Sequence, residues 1–339
     1  MLPSWSSGLR ERLQARLGAF FEEQREHVSR QAPAAGVLVD AIADLTLRGG
    51  KRLRPLLTAA AYRALDAGGD PSRTLEAGAA LELLQTYLLV HDDWMDQDEQ
   101  RRGGPSVLGR LRRMHPDDAH LAASLTVLAG DLAAAFSGQL LARAPFPPAR
   151  LHEAYEVFWQ MQLEVFYGQH LDLVGSDDLD RKYDLKTASY TVRGPVLLGA
   201  LLADAPRDGL EILARWSRPV GIAFQLADDL LGAFGDPEQT GKPAGGDLRA
   251  GKRTALLVEA WRRDPDGARS VSTAVLGRAD ADAAAIRDAT AWLERTGARR
   301  AIEARIESLL AQADGLLDEA PFDATELRQL ARALAVRDH

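Results

Sequence analysis

Residues 78–96 read GAALELLQTYLLVHDDWMD, a mostly apolar stretch that runs straight into Asp92, Asp93 and Asp96. Such a stretch has the pattern of a buried helix. Residues 219–234, PVGIAFQLADDLLGAF, repeat the theme, with only Gln225, Asp228 and Asp229 polar. Burying an unpaired carboxylate costs many kcal/mol, so adjacent carboxylates on a buried helix need partners or a metal. Asp92 and Asp96 are four apart, on one helical face and one turn from each other. An all-oxygen site of that kind suits Mg²⁺, which keeps several waters and shares its shell with substrate phosphates. One such cluster reads equally well as a cap, a salt-bridged pair or a solvated helix end. Two of them, 136 residues apart, are harder to explain that way.

Outward from these stretches the 3.6-residue periodicity continues. It predicts helices at about 8–29, 35–48, 53–67, 72–95, 117–143, 148–173, 183–203 and 207–234. More follow near 252–263, 267–277, 279–295, 297–318 and 323–337. The fold class is therefore all-α, a bundle of about 10–14 helices. Turn residues mark the breaks at Gly49-Gly50, 68–71, Gly103-Gly104-Pro105 and 145–148. The longest non-helical stretch, 235–251, is rich in Gly, Pro and Asp, and a loop of that length is usually functional or disordered. No internal repeat stands out. A length of 339 residues allows two average domains or one large helical domain. The reading adopted is a single domain over 1–339.

The chain has no cysteine, so it does not call for an oxidising compartment. Its start, MLPSWSSGLRERLQARL, carries charges where a signal peptide needs an apolar core. Apolar runs such as 196–203 fall short of the ~20 residues that span a bilayer. A cytoplasmic protein with no membrane span is expected. A net charge of −8 argues against a nucleic-acid partner.

Of 41 basic residues only Lys51, Lys182, Lys186, Lys242 and Lys252 are lysine. Lysine is a compact point charge and a phosphate binder. In GGKRLRP (49–55), Lys51 and Arg54 lie near a predicted helix start, where a Gly-Gly turn makes an anion site plausible. Arg101 and Arg102 follow the first acid cluster, and Lys242 and Lys252 follow the second. Two acidic platforms, each followed by cations, suit a polyphosphate held by metal on one side and by Lys/Arg on the other.

GGKRLRP, DDWMD followed by RRG, GQHLDL, KTASYT and FQLADDLLGAFGDPEQTGKPAGGDLRAGKRT together resemble the trans-isoprenyl diphosphate synthases (polyprenyl synthetases) of the farnesyl/geranylgeranyl type. The resemblance covers about 40–260; the helices of 260–339 fit only in being helical. It implies one all-α domain around a deep central cavity, working as a homodimer with Mg²⁺, three ions per active site. It also implies a reaction: an allylic diphosphate (dimethylallyl, geranyl or farnesyl) ionises, and isopentenyl diphosphate attacks the cation and loses a proton. Carried over residue by residue, it makes Asp92, Asp96 and Asp228 metal ligands, with Asp93 and Asp229 acting directly or through metal-bound water. Lys51, Arg54, Gln85 and Arg102 match positions for isopentenyl diphosphate. Arg101, Lys186, Thr187, Gln225, Lys242 and Lys252 match positions serving the allylic diphosphate, with Lys186 counted among the catalytic set. Gln85 lies seven residues before Asp92, two turns away on the same face, so geometry agrees. The chain departs from the family at position 232: Gly232 stands where a third aspartate is usual. Asp236 in the following loop is a longer-reach candidate.

Members of this family set product length partly by bulk just upstream of the first acid motif. Here Tyr87 is aromatic, Leu88 is not, and no insertion splits the aspartates. That pattern resembles enzymes that stop at C20, with C15 as the alternative. An ideal helix puts Tyr87 well off the Asp92 face. A class I terpene cyclase would need a second metal motif of the NDxxSxxxE kind, which is absent from the sequence. A non-catalytic prenyl synthase subunit would be expected to lose its acid motifs. The near P-loop GDLRAGKRT (246–254) has arginine at the Ser/Thr position and no predicted strand before it.

Overall fold

The computed structural model describes residues 2–66, 69–235, 245–278 and 280–335. The first helices are α1 (Ser6–Gln31), α2 (Gly36–Leu47), α3 (Leu53–Leu65), α4 (Leu75–Asp96), α5 (Val107–Met114), α6 (Ala119–Ala142) and α7 (Pro148–Leu173). There follow α8 (Leu179–Tyr183), a π-helical segment (Asp184–Arg193), α9 (Gly194–Leu202) and α10 (Arg207–Phe234). The last are α11 (Gly246–Arg249), α12 (Ala255–Arg263), α13 (Pro265–Ala274), α14 (Ala283–Arg295), α15 (Ala298–Asp318) and α16 (Thr325–Ala335). Side-chain caps start several of them by accepting a free N–H of the first turn. Ser106 caps α5 at 3.0 Å, Asp118 caps α6 at 2.8 Å and Asp282 caps α14 at 2.8 Å.

The chain forms two compact units. The first comprises Leu2–Val157 with Pro195–Ala205, the second Phe158–Gly194 with Pro206–His339. In the first unit α4 is the central helix, packed on α1, α2, α3, α5 and α6. Leu17, Phe20, Ile42, Leu56, Leu81 and Leu84 are fully buried there. In the second unit α10 is central, packed on the π-helical segment, α12, α15 and α16. Ile222, Leu226, Leu230, Leu256, Trp292 and Leu293 form its core. Each acid pair thus sits on the helix that organises its unit.

Helix α6 is long and apolar enough to cross a membrane by length and composition, which the search for continuous apolar runs does not pick out. It packs along α4, its Thr126 and Ser137 are buried, and Asp131 interrupts it midway. One side of it is thus buried in the first unit, while Leu121 and Leu128 on the other are exposed.

The expected helices 148–173 and 207–234 match α7 and α10 residue for residue. The expected helix 183–203 is instead α8, the π-helical segment and α9 in succession. A π-turn widens the helix and exposes backbone, and it often marks a functional segment. Here it carries Lys186 and Thr187. Helix α7 presses on it at Gly168, where a Cβ would lie 2.2 Å from the Lys186 nitrogen and 2.5 Å from its Cα. Backbone cannot yield as a flexible side chain can. Gly168→Ala should therefore cost about 1–3 kcal/mol, the range for forced overpacking, read as a lowered denaturation midpoint. An unchanged midpoint would show that the close approach is not needed.

Candidate active site

In the first unit α4 ends on the first acid group. A helix turns about 100° per residue, so Asp92 and Asp96 project within about 40° of each other, while Asp93 is turned about 100° from Asp92, toward the core. Asp93 is fully buried, and Asp92 and Asp96 are half-buried. Arg101 Nε donates to Asp93 Oδ1 at 2.7 Å, and its Nη2 donates to the same oxygen. The other oxygen, Oδ2, is buried without a hydrogen-bond partner. Burial pushes the Asp93 carboxyl up to about 6, and the Arg101 charge only partly opposes this.

Arg101 and Arg102 come from a feature that the all-helical reading misses, a two-strand hairpin with Gln100 opposite Pro105 and Arg101 opposite Gly104. Its turn residues, Arg102 (φ 54°) and Gly103 (φ 69°), both have positive φ, as a two-residue hairpin turn requires. An arginine held there is strained, and such strain collects at functional sites. The GGKR turn is built in the same way, with Gly49 at φ 89°, Gly50 at 131° and Arg52 at 51°. The two turns meet. A Cβ on Gly50 would lie 3.9 Å from the Arg102 guanidinium carbon.

Beneath them, Arg52 donates to the Thr46 carbonyl at 2.8 Å and to Gln14 at 2.9 Å, and it pairs with Glu82 in the core. Arg54 is buried in the first turn of α3, whereas Lys51 is exposed. Burial lowers the proton affinity of Arg102, and Arg52, Arg54 and Arg101 lower it further while Glu82 opposes them. The crowding of positive charge is itself the finding: such a patch attracts a multivalent anion. Gln85 is half-buried, two turns before Asp92.

The second unit solves the same problem with neutral groups. On α10, Asp228 is exposed and Asp229 is buried. Gln225 Nε2 donates to Asp229 Oδ1 at 2.9 Å, and the Tyr183 hydroxyl donates to Oδ2. Thr187 donates to Gln225 Oε1 at 2.6 Å, and the Ala255 N–H donates to the Tyr183 oxygen at 2.8 Å. One chain of hydrogen bonds therefore runs from the π-helical segment through α10 to the start of α12. Burial raises Asp229 to about 7; Tyr183 and Gln225 oppose this, while Asp247 and Asp228 add to it. Burial and Asp229 together push Tyr183 up, so it stays protonated as a donor.

Lys186 lies beside this chain, bound to Asp172 at 2.5 Å, and Lys182 reaches the same carboxylate at 2.9 Å. Lys182 also donates to the Arg253 carbonyl at 3.1 Å. The backbone N–H of Lys252 donates to the Asp247 carbonyl at 2.9 Å. Lys242 and Asp236 lie outside the described residues. Tyr183 and Asp172 do not stand out in the sequence reading, although Asp172 lies in the GQHLDL motif and its lysine partners are two of the five. Tyr87 is buried on α4, edge-on to His91 with ring centres 5.0 Å apart, and Asp131 of α6 acts on it. Leu88 is half-buried, one turn from Asp92.

Among the described residues no three carboxylate or imidazole groups converge as a self-sufficient metal site. Hard oxygen donors offered one or two at a time fit Mg²⁺, which fills its shell with water and substrate phosphate. The donor set therefore suits Mg²⁺ and not a thiolate- or imidazole-seeking metal.

An all-helical chain with an acid pair on the central helix of each unit, and a cationic patch beside the first, has the features of an enzyme for phosphorylated substrates. The model of the polyprenyl synthetase family matches residues 36–293, and the chain belongs to that family. It is 33% identical over 266 residues to a geranylgeranyl diphosphate synthase of Sulfolobus acidocaldarius, 76% of each chain. It is also 33% identical over 243 residues to a (2E,6E)-farnesyl diphosphate synthase of Mycobacterium bovis, covering 66% of this chain and 64% of that protein. The crystal structure of a geranylgeranyl pyrophosphate synthase from Corynebacterium glutamicum, complexed with isoprenyl diphosphate and magnesium, superposes with a TM-score of 0.91 at 32% identity. That match covers 97% of this chain and 99% of the other.

The Asp172 clamp makes a pH prediction. Its two lysines hold the carboxyl down at about 2, against the burial that would raise it. A depressed acid contributes stability above its unfolded value near 4 and loses it as pH falls towards 2. The shift is worth about 2 kcal/mol. Asp172→Asn should be less stable than the parent by about that amount at pH 6, with the gap closing by pH 2 in denaturant titrations. A gap that is constant with pH would show that the ion pairs contribute nothing.

Proposed function

We propose that the chain is an Mg²⁺-dependent trans-prenyltransferase that joins isopentenyl diphosphate to allylic diphosphates (dimethylallyl, geranyl, farnesyl). Its product in this reading is geranylgeranyl diphosphate, C20. The carrying observation is the shared design of the two acid groups: an inner aspartate, Asp93 or Asp229, tied to protein donors, and outer aspartates left accessible. Asp92, Asp96 and Asp228 would hold the metal. Bound Mg²⁺ would supply the positive charge that neutralises a departing diphosphate.

The chain's own residues do the rest in this reading. Lys51, Arg54, Gln85 and Arg102 bind the diphosphate of isopentenyl diphosphate, which the crowded positive charge favours. Arg101, Lys186, Thr187, Gln225, Lys242 and Lys252 serve the allylic diphosphate. Asp93 and Asp229 orient Arg101 and Gln225 and share the metal's hydration. The allylic C–O bond breaks and its electron pair leaves with diphosphate. The isopentenyl double bond forms the new C–C bond, and a proton departs. Pre-oriented donors make this electrostatic catalysis.

The family match runs through residues of both units, which supports a single catalytic domain over 1–339. A cytoplasmic homodimer with no membrane or nucleic-acid partner completes the proposal. Exposed Leu121 and Leu128 on α6 support the second copy.

Asp92→Ala and Asp228→Ala should each cut turnover on the order of 100-fold or more with little change in melting temperature. The assay is labelled isopentenyl diphosphate with each allylic primer and Mg²⁺. Full activity in both variants would sink the metal assignment. Product sizing tests the chain length separately. C20 from the parent, and longer products from Tyr87→Ala, are expected. C15 from the parent would keep the reaction and discard the C20 reading. An unchanged spectrum in Tyr87→Ala would move the limit elsewhere, with Leu88 on the Asp92 face as the next candidate.

A further inference from the structure

Of the five lysines, Lys51, Lys186, Lys242 and Lys252 are taken up by the prenyl-transfer reading, and Lys182 is left over. It is also the most buried of the described lysines, with a side chain 8% exposed against 24% for Lys186. An ammonium out of water needs acceptors. Lys182 Nζ donates to Asp172 Oδ1 at 2.9 Å and to the Arg253 carbonyl at 3.1 Å, and the Tyr183 ring centre lies 5.6 Å away. These contacts hold it where the end of α7, the end of α8 and the stretch before α12 come together.

Lys186 meets the same carboxylate on its other oxygen, donating to Asp172 Oδ2 at 2.5 Å. The two ammonium groups therefore divide the two oxygens of one half-buried carboxylate. They differ in freedom. Lys182 is fixed by its second acceptor, on the residue that follows Lys252. That stretch is itself pinned, by an ion pair of Arg253 with Asp177 and by the Ala255 N–H on the Tyr183 oxygen at 2.8 Å. Lys186 is the more exposed, and Gly168 presses on its backbone, which leaves side-chain rotation as the way its ammonium travels. Drawing Lys186 to a phosphate breaks an ion pair, and the cost depends on what stays behind. A half-buried carboxylate left without a cation opposes the move; one that keeps a cation opposes it much less.

We propose that Lys182 is a positioning residue for diphosphate binding: it is the standing counter-charge of Asp172, and it thereby leaves Lys186 available to the ligand. The inference rests on the prenyl-transfer reading of the site, in which Lys186 serves the allylic diphosphate.

Lys182→Met keeps the length of the side chain and removes the charge, so that Asp172 is left to Lys186 alone. Calorimetric binding of inorganic pyrophosphate in the presence of Mg²⁺ and the melting temperature are measured on the full chain. Lys182→Met should bind pyrophosphate about 10- to 100-fold more weakly, the range for one hydrogen bond to a charged group. Lys182→Gln, which keeps a donor without the charge, should show the same loss, and it makes the comparison if Lys182→Met does not fold. Lys182→Arg keeps the charge. Its affinity should stay near the parent's while its melting temperature falls, because a larger group is forced into a filled place. A merely structural role would move affinity and melting temperature together. Coupling is the second readout: once Lys186→Met has removed the responding ammonium, adding Lys182→Met should cost no more than about a further twofold. Parent-like affinity in Lys182→Met and Lys182→Gln, an equal loss in Lys182→Arg, or fully additive losses in the double variant would overturn the inference while leaving the reaction intact. A parent that neither binds pyrophosphate with Mg²⁺ nor elongates any primer would overturn the reading of the site, and this inference with it.

Discussion

The structure depends on how each unit accommodates a buried carboxylate on its central helix. Two adjacent aspartates on one helix diverge by about 100°, so one can point to solvent while the next points into the core. The inward one loses its hydration and must find donors. The first unit answers with a cation: Arg101 is brought back onto Asp93 by a hairpin of four strand residues. The second answers with neutral donors: Tyr183 and Gln225 take one oxygen of Asp229 each. The consequence is electrostatic. A full positive charge against Asp93 cancels part of the first group's charge. Neutral donors satisfy Asp229 without cancelling any, and Asp228 and Asp247 add to the local negative potential.

The same requirement explains why strain concentrates where it does. Of the four described non-glycine residues with positive φ, a conformation that L side chains avoid, Arg52, Gln97 and Arg102 flank the first acid group or its cationic partners, and Asp204 follows α9. Gln97 ends α4 immediately after Asp96, turning the chain sharply towards the hairpin. Arg102 forms the hairpin turn, and Arg52 sets the entry to α3. The cost of each is met locally. Arg52 is tied by three acceptors in a buried setting, and Arg48 braces the hairpin by donating to the Arg101 and Pro105 carbonyls at 2.9 and 2.8 Å.

The sequence exposed the long helices because they depend on local periodicity. α7 and α10 are each more than six turns of regular apolar spacing, and their ends follow from proline and from the glycine loop. The π-helical segment was not legible, because a widened turn answers to what packs on it, here Gly168 of α7, and not to its own residues. The RRGG hairpin is too short to show alternation. The outer aspartates and Gln225 could be found as polar residues in or beside apolar stretches, and the paired arginines as cations that follow the first acid cluster. Tyr183 could not. It is an unremarkable aromatic until Asp229 is placed 46 residues away.

The lysines show what scarcity in a sequence measures. In a chain that uses arginine almost everywhere, arginine is found where a planar fork must serve several acceptors at once. Arg193 bridges Asp184 and Glu164, and Arg52 serves Glu82, Gln14 and a carbonyl. Lys182 and Lys186 do what a fork would do poorly: two compact charges converge on the single carboxylate of Asp172 in a tight space between α7, α8 and the π-helical segment. Lys182 is buried and bonded to Asp172 and to the Arg253 carbonyl. Its place is one for a small cation, between a carboxylate and a carbonyl. Lys186 needs the same compactness but sits on the segment that also carries Thr187 and the hydrogen-bond chain to Asp229. A ligand phosphate that drew Lys186 away would leave Asp172 still paired by Lys182.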